Sequence, residues 1–359
     1  MKLETVRALA TALCIRAGLP AEDATLVIDV LLDADLRGVH SHGLWRLPSY
    51  IARLEAGSTK ASPNVRVVKE QQALSLIDGG HGLGIVVADR ALSLTLDKAR
   101  SYGVAATAIR ASGHMGAIAY YTRKGAQQGF ATLIFSNSSP GMVPPNGLRP
   151  TVGLNPWSIA VPGPAAPICM DMANTVAARG KILVALNEGR AIPDGWAVDA
   201  SGQPTTDPVA ALAGGLLPMG GHKGYVLSVM VDMLAAILPG AAFLTDVASP
   251  RDAGATQDIG HLFMALDIAQ IMPLDVFKQR VARYSEMLKA SPTRGEEVLL
   301  PGEPEERARE TGLDEVALEA LWREIRPIAQ RYGIDEESIR SSEGCERSIE
   351  QRRKSRRVP

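Results

Sequence analysis

The run WSIAVPGPAAPICMDMA holds two β-rich segments with only turn residues around Pro162 to Pro167 between them. A parallel crossover needs a dozen or more residues, usually a helix, so these segments pair as an antiparallel hairpin. The hairpin predicts a mixed sheet. Upstream, the apolar period alternates between strand and helix: ALSLID as a strand, 84–102 as a helix, VAATAIRAS as a strand, 117–129 as a helix and FATLIFSNS as a strand. Taken alone, that series would fit a parallel βαβ domain; the hairpin after it points to α+β.

Helical periodicity dominates both ends. Leu3, Val6, Leu9, Ala10 and Leu13 share a face, Gly18 ends the pattern, and Pro20 opens a second helix to about Gly38. A third begins between Gly43 and Leu47, because Pro48 is tolerated only in a first turn. Further on, 174–188, the apolar stretch 222–238 and two amphipathic segments near 273–290 and 314–332 read as helices, and HLFMALDI as a strand. The 222–238 stretch is interrupted by Asp232 and closed by Pro239-Gly240, so it reads as a core helix and not a membrane span. The basic run RSIEQRRKSRRVP reads as a disordered tail.

A formal charge of −1 gives no global attraction to nucleic acid or to an anionic membrane. Cys14, Cys169 and Cys345 are far apart and form no C-x-x-C pair, which fits a reducing cytoplasm. All six histidines lie within two residues of a glycine, a pattern that presents them on loops beside a ligand. In DLRGVHSHGLWRLPSY, His42 stands four residues before Arg46 at a helix start, where a guanidinium can clamp a carboxylate and an imidazole can pass a proton to a neighbouring oxygen. Ser41 either orients that imidazole or caps the helix. In LPMGGHKGYVL, glycines and Lys223 before a helix suit a phosphate, although the spacing is not that of a Walker A loop. DGGHGLG lacks the G-x-G-x-x-G spacing and reads as a tight turn. His40 and His42 form an H-x-H pair, so a zinc hydrolase stands as the competing class; no carboxylate and histidine cluster accompanies the pair, and no metal is expected.

Together, DADLRGVHSHGLWRLPSYIARLEAG, SGHMGAIAYYTRKGAQQGF, NSSPGMVPPNG, GLNPWSIAVPG, DMANTVAARGKI, LPMGGHKGYVLSVMVDMLAAIL and LPGEPEERARETG resemble the type-2 malate/L-lactate dehydrogenase family, over about residues 3–333. Ureidoglycolate and sulfolactate dehydrogenases, diketogulonate reductase and piperideine-2-carboxylate reductase belong to the same family. The resemblance implies a homodimeric oxidoreductase using NAD or NADP. Its fold would be α+β: a non-Rossmann cofactor domain with a mixed, mainly antiparallel sheet (73–221 with 259–272), and a helical substrate and dimer domain from both chain ends (1–72 with 222–258 and 273–335), leaving 336–359 as the tail. It implies hydride transfer between nicotinamide and the α-carbon of a small 2-hydroxy/2-oxo acid, with reduction of a cyclic imino acid as the alternative.

By the same resemblance Ser41, His42 and His114 serve catalysis and Arg46 holds the substrate carboxylate. The cofactor would be lined by His114, Gly116, Ala117, Ser138, Asp171, Met172, Ala173, Arg179, His222, Lys223, Pro301, Gly302, Glu303 and Arg307. Where the family usually has threonine this chain has Leu154, which leaves a catalytically inactive ligand-binding relative as a third reading. Glu188 and Asp194 are candidates for a carboxylate completing a relay with Ser41 and His42.

Overall fold

The structure is a computed structural model, described over residues 1–250 and 252–334; the expected tail lies outside these residues. The chain opens with α1 (Leu3–Arg16) and α2 (Ala21–Leu36), two single 3-10 turns at His40–His42 and Leu44–Arg46, and α3 (Leu47–Glu55). Then come β1 (Arg66–Gln71), β2 (Leu74–Asp78), α4 (Gly84–Tyr102), β3 (Val104–Ser112), α5 (Ala119–Gln127) and β4 (Phe130–Ser136). Short strands β5 (Pro140–Met142) and β6 (Val152–Gly153) precede the hairpin β7 (Trp157–Val161) and β8 (Ile168–Met172). After α6 (Arg179–Asn187) follow β9 (Ala197–Val198), β10 (Pro204–Thr205), α7 (Pro208–Ala213) and β11 (Gly215–Leu216). The chain continues with α8 (His222–Asp232), a π-helical turn at Met233–Ile237, β12 (Ile259–Asp267), α9 (Leu274–Lys289), α10 (Glu303–Thr311) and α11 (Glu315–Arg331).

Seven strands form one sheet in the order β1-β2-β3-β12-β4-β7-β8, and five short ones form a second, β10-β9-β11-β5-β6. In the larger sheet β2 and β3 run parallel while β1/β2, β3/β12, β12/β4, β4/β7 and β7/β8 are antiparallel. The hairpin is as expected, with Trp157 opposite Met172 and Val161 opposite Ile168. The mixed sheet follows from it.

Two cores sit side by side. One gathers Leu9, Leu13, Ile28, Leu31, Leu44 and Ile51 of the N-terminal helices with Trp322 and Ile325 of α11, so both chain ends close one helical layer. Each fully buried aliphatic side chain there contributes about 1.5–3 kcal/mol. The other packs α4 and α5 onto the sheet through Ile109, Tyr121, Phe130, Ile134 and Phe263.

The structure corrects the sequence reading in several places. The segment Arg66–Gln71 is a strand, paired along one side only and exposed at every residue, so it carries no alternating burial signal. The helix expected over 174–188 starts only at Arg179. Before it, Asn174 donates from Nδ2 to the Asn155 carbonyl and Thr175 bonds the Ala177 carbonyl, which holds the chain out of helical form. The stretch 222–238 is α-helical only to Asp232, then widens to a π turn. Helix α10 was not anticipated, since EPEERARET buries nothing; it is held by ion pairs of Glu306 to Arg37 and Glu303 to Lys289.

Candidate functional site

The approach to α3 is shaped by Asp35, fully buried on α2. Its carboxylate accepts the Leu44 amide at 2.7 Å and bonds His40 Nδ1 at 3.0 Å. Gly43 permits this: a Cβ there would lie 2.0 Å from Asp35 Oδ1. The chain therefore turns twice in 3-10 form, and Ser41, His42 and Arg46 lie on these turns, immediately before the α3 helix proper. Asp35 escaped the sequence reading. Its only signal is an acid near the end of an otherwise apolar helix face.

Ser41 does not cap a helix; its Oγ lies 2.9 Å from His42 Nδ1. The His42 ring stacks on His114, centroids 5.5 Å apart and 21° between planes. Arg46 donates from Nε to the Ser41 carbonyl at 2.8 Å and lies 4.6 Å over the Trp45 ring, and no described carboxylate pairs with it. One turn further along α3, Tyr50 puts its hydroxyl 2.7 Å from His114 Nδ1. Arg46, Tyr50 and His114 thus converge on a cleft that Arg53, Gly113 and Gln257 also line, with His42 stacked behind His114.

The hydrogen bonds fix the tautomer of His114. The Gly116 amide donates to Nδ1 at 3.2 Å, so Nδ1 accepts, Tyr50 donates to the same lone pair, and the ring proton of neutral His114 is on Nε2. Burial first, and then the charge of Arg46, hold this imidazole well below its ordinary range. The same two causes bring His42 down to about 4. Both rings are therefore neutral at pH 7. Burial lifts the Tyr50 phenol above its ordinary range, so its proton stays in place.

Among the remaining histidines, His261 departs from the loop expectation. His261 is fully buried inside β12, bonded by Nδ1 to Ser136 Oγ at 2.9 Å and by Nε2 to Ser112 Oγ at 3.0 Å. Burial holds it down to about 3. His81 sits in a tight turn at φ 58°, its amide bonded to the Ala111 carbonyl. His40 is occupied by Asp35 and His42 by Ser41; among the described residues no group of three or more histidines, cysteines or acids is placed to hold a metal ion. Glu188 pairs with Arg190 on the exposed surface, which removes the motive for a relay role.

Several of the other expected residues lie on or against β8, the outer strand of the large sheet. Asp171 accepts the Ala119 amide at 2.8 Å, tying β8 to the start of α5 just after Gly116 and Ala117. The Pro301 carbonyl accepts the Cys169 amide at 3.1 Å, and Gly302, at φ 85°, packs where a Cβ would meet the Cys169 carbonyl at 2.9 Å. Glu303 and Arg307 are bonded to each other at 2.7 Å, with Lys289 and Glu297 completing an exposed ion network. The Leu300 amide first, and then Lys289 and Arg307, bring the Glu303 carboxyl down to about 2. Met172 and Ala173 lead to Asn174, whose carbonyl accepts the Met219 amide, and this brings the α8 start with His222 and Lys223 alongside. Arg179 donates to the Leu212 carbonyl at 3.0 Å. Helix α6 also approaches the histidine turn, since a Cβ on Gly180 would lie 2.9 Å from Ser41 Cβ.

Ser138 belongs to a buried polar frame: its Oγ accepts the Leu154 amide and its own amide bonds Asn155 Oδ1, both at 3.0 Å. Leu154 itself packs against a cluster with Ile182 and Ala185. The leucine thus replaces a hydroxyl with inward packing. Tyr50 and Gln257 are site residues the sequence did not bring forward, although Tyr50 stands four residues after Arg46.

A helical layer and a mixed sheet meet at a neutral histidine pair and a guanidinium with no described carboxylate partner. A family model for malate/L-lactate dehydrogenase matches residues 1–326, and the chain belongs to that family. It is 39% identical over 308 residues to the L-sulfolactate dehydrogenase of Methanothermobacter thermautotrophicus, covering 84% of this chain and 89% of the relative. With the NAD(+) ureidoglycolate dehydrogenase of Escherichia coli it shares 36% over 307 residues, 84% of this chain and 87% of the relative. Among solved structures, sulfolactate dehydrogenase from Methanocaldococcus jannaschii superposes with a TM-score of 0.86 at 38% identity, covering 94% of this chain and 98% of that one. Delta1-piperideine-2-carboxylate reductase from Pseudomonas syringae gives 0.80 at 32%, covering 89% and 97%.

Proposed function

We propose that this member of a dehydrogenase family transfers hydride between NAD or NADP and the α-carbon of a small 2-hydroxy/2-oxo acid. The observation that carries the reading is the site itself, where a guanidinium without a described carboxylate partner lines a cleft beside neutral His114, on which neutral His42 stacks. The named activities of the relatives support it.

Arg46 holds the substrate carboxylate; a half-buried cation of this kind is satisfied by an anion from outside. In the direction of oxidation, neutral His42 takes the hydroxyl proton and Ser41 keeps the ring oriented. His114 meets the same oxygen with its Nε2–H, and Tyr50 with the Gly116 amide holds Nδ1 so that the donor stays aimed. In reduction, the entering carboxylate offsets the charge of Arg46 and favours proton uptake by His42.

The bound nicotinamide supplies or accepts the hydride. The turn into α8 fits such a group: Gly220 and Gly221 take φ of 56° and 63°, nothing lies within 4 Å of a Cβ on Gly221, and Lys223 two residues on is exposed. That turn with Lys223 suits the diphosphate. Gly116, Ala117, Ser138, Asp171, Met172, Ala173, Arg179, His222, Pro301, Gly302, Glu303 and Arg307 form the rest of the proposed binding surface. This cofactor part is not a Rossmann fold, a reading supported by the single parallel pair in the large sheet and by the antiparallel β7/β8 hairpin.

We assign the enzyme to a homodimer. Val226, Met230, Met233 and Ile237 form one exposed apolar stripe along α8 and its π turn, and a second subunit would cover it. Met230→Glu should then shift the sedimentation profile toward monomer. Free Cys14 and Cys169 support a cytoplasmic setting. No helix among the described residues is long and apolar enough to cross a membrane, and neither a membrane nor a nucleic acid is proposed as partner.

The test follows nicotinamide absorbance with pyruvate, oxaloacetate, sulfopyruvate and cyclic imines, each with NADH and NADPH. Turnover of at least one 2-oxo acid is expected. Turnover of a cyclic imine alone, the reaction type named for the Pseudomonas syringae neighbour, would replace the present reading with imine reduction. Unchanged absorbance with every compound would overturn both.

A further inference from the structure

Four charges form a chain from α5 to α10: Arg123 on α5, Asp33 on α2, Arg37 just past the end of α2, and Glu306 on α10. Asp33 accepts from Arg123 on one oxygen and from Arg37 Nε, at 3.0 Å, on the other. Arg37 turns its Nη1 to Glu306 Oε2, with its side chain only 5% exposed. Beside it α10 lies close to Gly38, where a Cβ would be 3.8 Å from Ala308 Cβ.

Helix α10 buries none of its residues, so no apolar face docks it. Its other ties are Glu303 to Lys289 of α9, Arg307 to Glu297 and, just ahead of the helix, the Pro301 carbonyl to the Cys169 amide. Exposed ion pairs are screened and contribute little. Among the ion pairs that tie α10 to other described residues, the one with Arg37 has the least exposed partner, and it is the least screened.

The two ends of this chain carry different parts of the proposed cofactor surface. Helix α5 opens just after Gly116 and Ala117, and its Ala119 amide is bonded to Asp171. Helix α10 follows Gly302 and carries Glu303 and Arg307. Arg37 reaches the first through Asp33 and the second directly, so it sets the gap between them.

We propose that Arg37 is a positioning residue for the coenzyme: through Glu306 it holds α10 at the separation from α5 that NAD(P)H needs, without touching the cofactor itself. Elements fixed in advance bind more tightly, because their ordering cost is met in the free protein. The inference rests on the cofactor placement proposed above. Removal of Arg37 leaves both acids partnered, since Asp33 keeps Arg123 and Glu306 keeps Arg309 at 3.0 Å, so Arg37→Met should fold.

The test titrates NADH and NADPH by fluorescence into wild type, Arg37→Met, Arg37→Lys, Glu306→Gln, the Arg37→Met/Glu306→Gln double variant and Arg307→Ala, and follows amide exchange in the cofactor-free proteins. Arg37→Met should weaken the better-bound coenzyme about 5- to 30-fold. Glu306→Gln, at the wetter end of the pair, should do the same and reports on the same contact if Arg37→Met unfolds. The double variant should lose no more than the larger single, because all three remove one contact. Arg37→Lys keeps a charge but not the fork and should recover part of the loss. Without cofactor, the amides of Glu303–Thr311 should exchange faster in Arg37→Met, while those of α11 keep their rate. Additive losses in the double variant, or affinity within about twofold of wild type in Arg37→Met and Glu306→Gln, would overturn the proposal. If Arg307→Ala still weakened binding in that case, the cofactor placement would stand; if it also had no effect, or if wild type bound neither coenzyme, the placement would fall as well.

Discussion

The loop at 113–116 and strand β12 each hold a histidine, and the two rings have opposite fates. His261 in β12 spends both nitrogens on serines. His114 has its Nδ1 bonded to Tyr50 and the Gly116 amide, while no described residue bonds Nε2. Both imidazoles are kept neutral by burial. Burial and a lowered pKa alone therefore do not mark a reacting group; an unspent donor facing a cleft does.

The comparison can be broken most sharply at the reacting pair. His42→Ala should lower kcat/KM for hydroxy-acid oxidation about 10²- to 10⁴-fold with little change in melting temperature, measured by NAD(P)H formation and calorimetry. His261→Leu should do the reverse. It leaves the Ser112 and Ser136 hydroxyls buried without the ring, costing about 3 kcal/mol of stability in urea titrations, with kcat/KM within about threefold of wild type.

Acid should sharpen the contrast. His42 and His261 have folded-state values depressed to about 4 and about 3, so the folded chain refuses protons that the unfolded chain binds. The unfolded imidazole titrates near about 6.5. The contribution of each is therefore complete above that pH and is lost as pH falls toward the folded value, by about 1.4 kcal/mol per pH unit for each ring. Urea midpoints between pH 7 and 5 should show His261→Leu with the shallower decline; an unchanged slope would mean His261 is already charged in the fold. The smallest effect is expected for Tyr50→Phe, about 1 kcal/mol or fivefold in kcat/KM, because the Gly116 amide still fixes the His114 tautomer.

Much of this fold was legible. Helix 84–102 and the strand VAATAIRAS appear with the expected bounds because their apolar period coincides with burial in the sheet core. Helix α10 and strand β1 were invisible because neither buries an apolar face. At the site, Ser41, His42, Arg46 and His114 could be named from their motifs, and they do share one place. Asp35 and Gln257 could not, since their roles depend on contacts made after the chain has turned back on itself. A glycine neighbour misled for His261, where Gly260 serves strand packing: a Cβ there would lie 1.9 Å from the Ala235 carbonyl.

The central claim, that Arg46 holds the carboxylate of the reacting acid, is tested most directly by comparing kcat/KM for a 2-oxo acid in wild type and Arg46→Gln, with the dissociation constant of NAD(P)H measured alongside. The account predicts a loss of about 10²-fold or more, as for removal of one partner of a buried charge pair, while cofactor affinity stays within about twofold. Equal kcat/KM in the two proteins would contradict it.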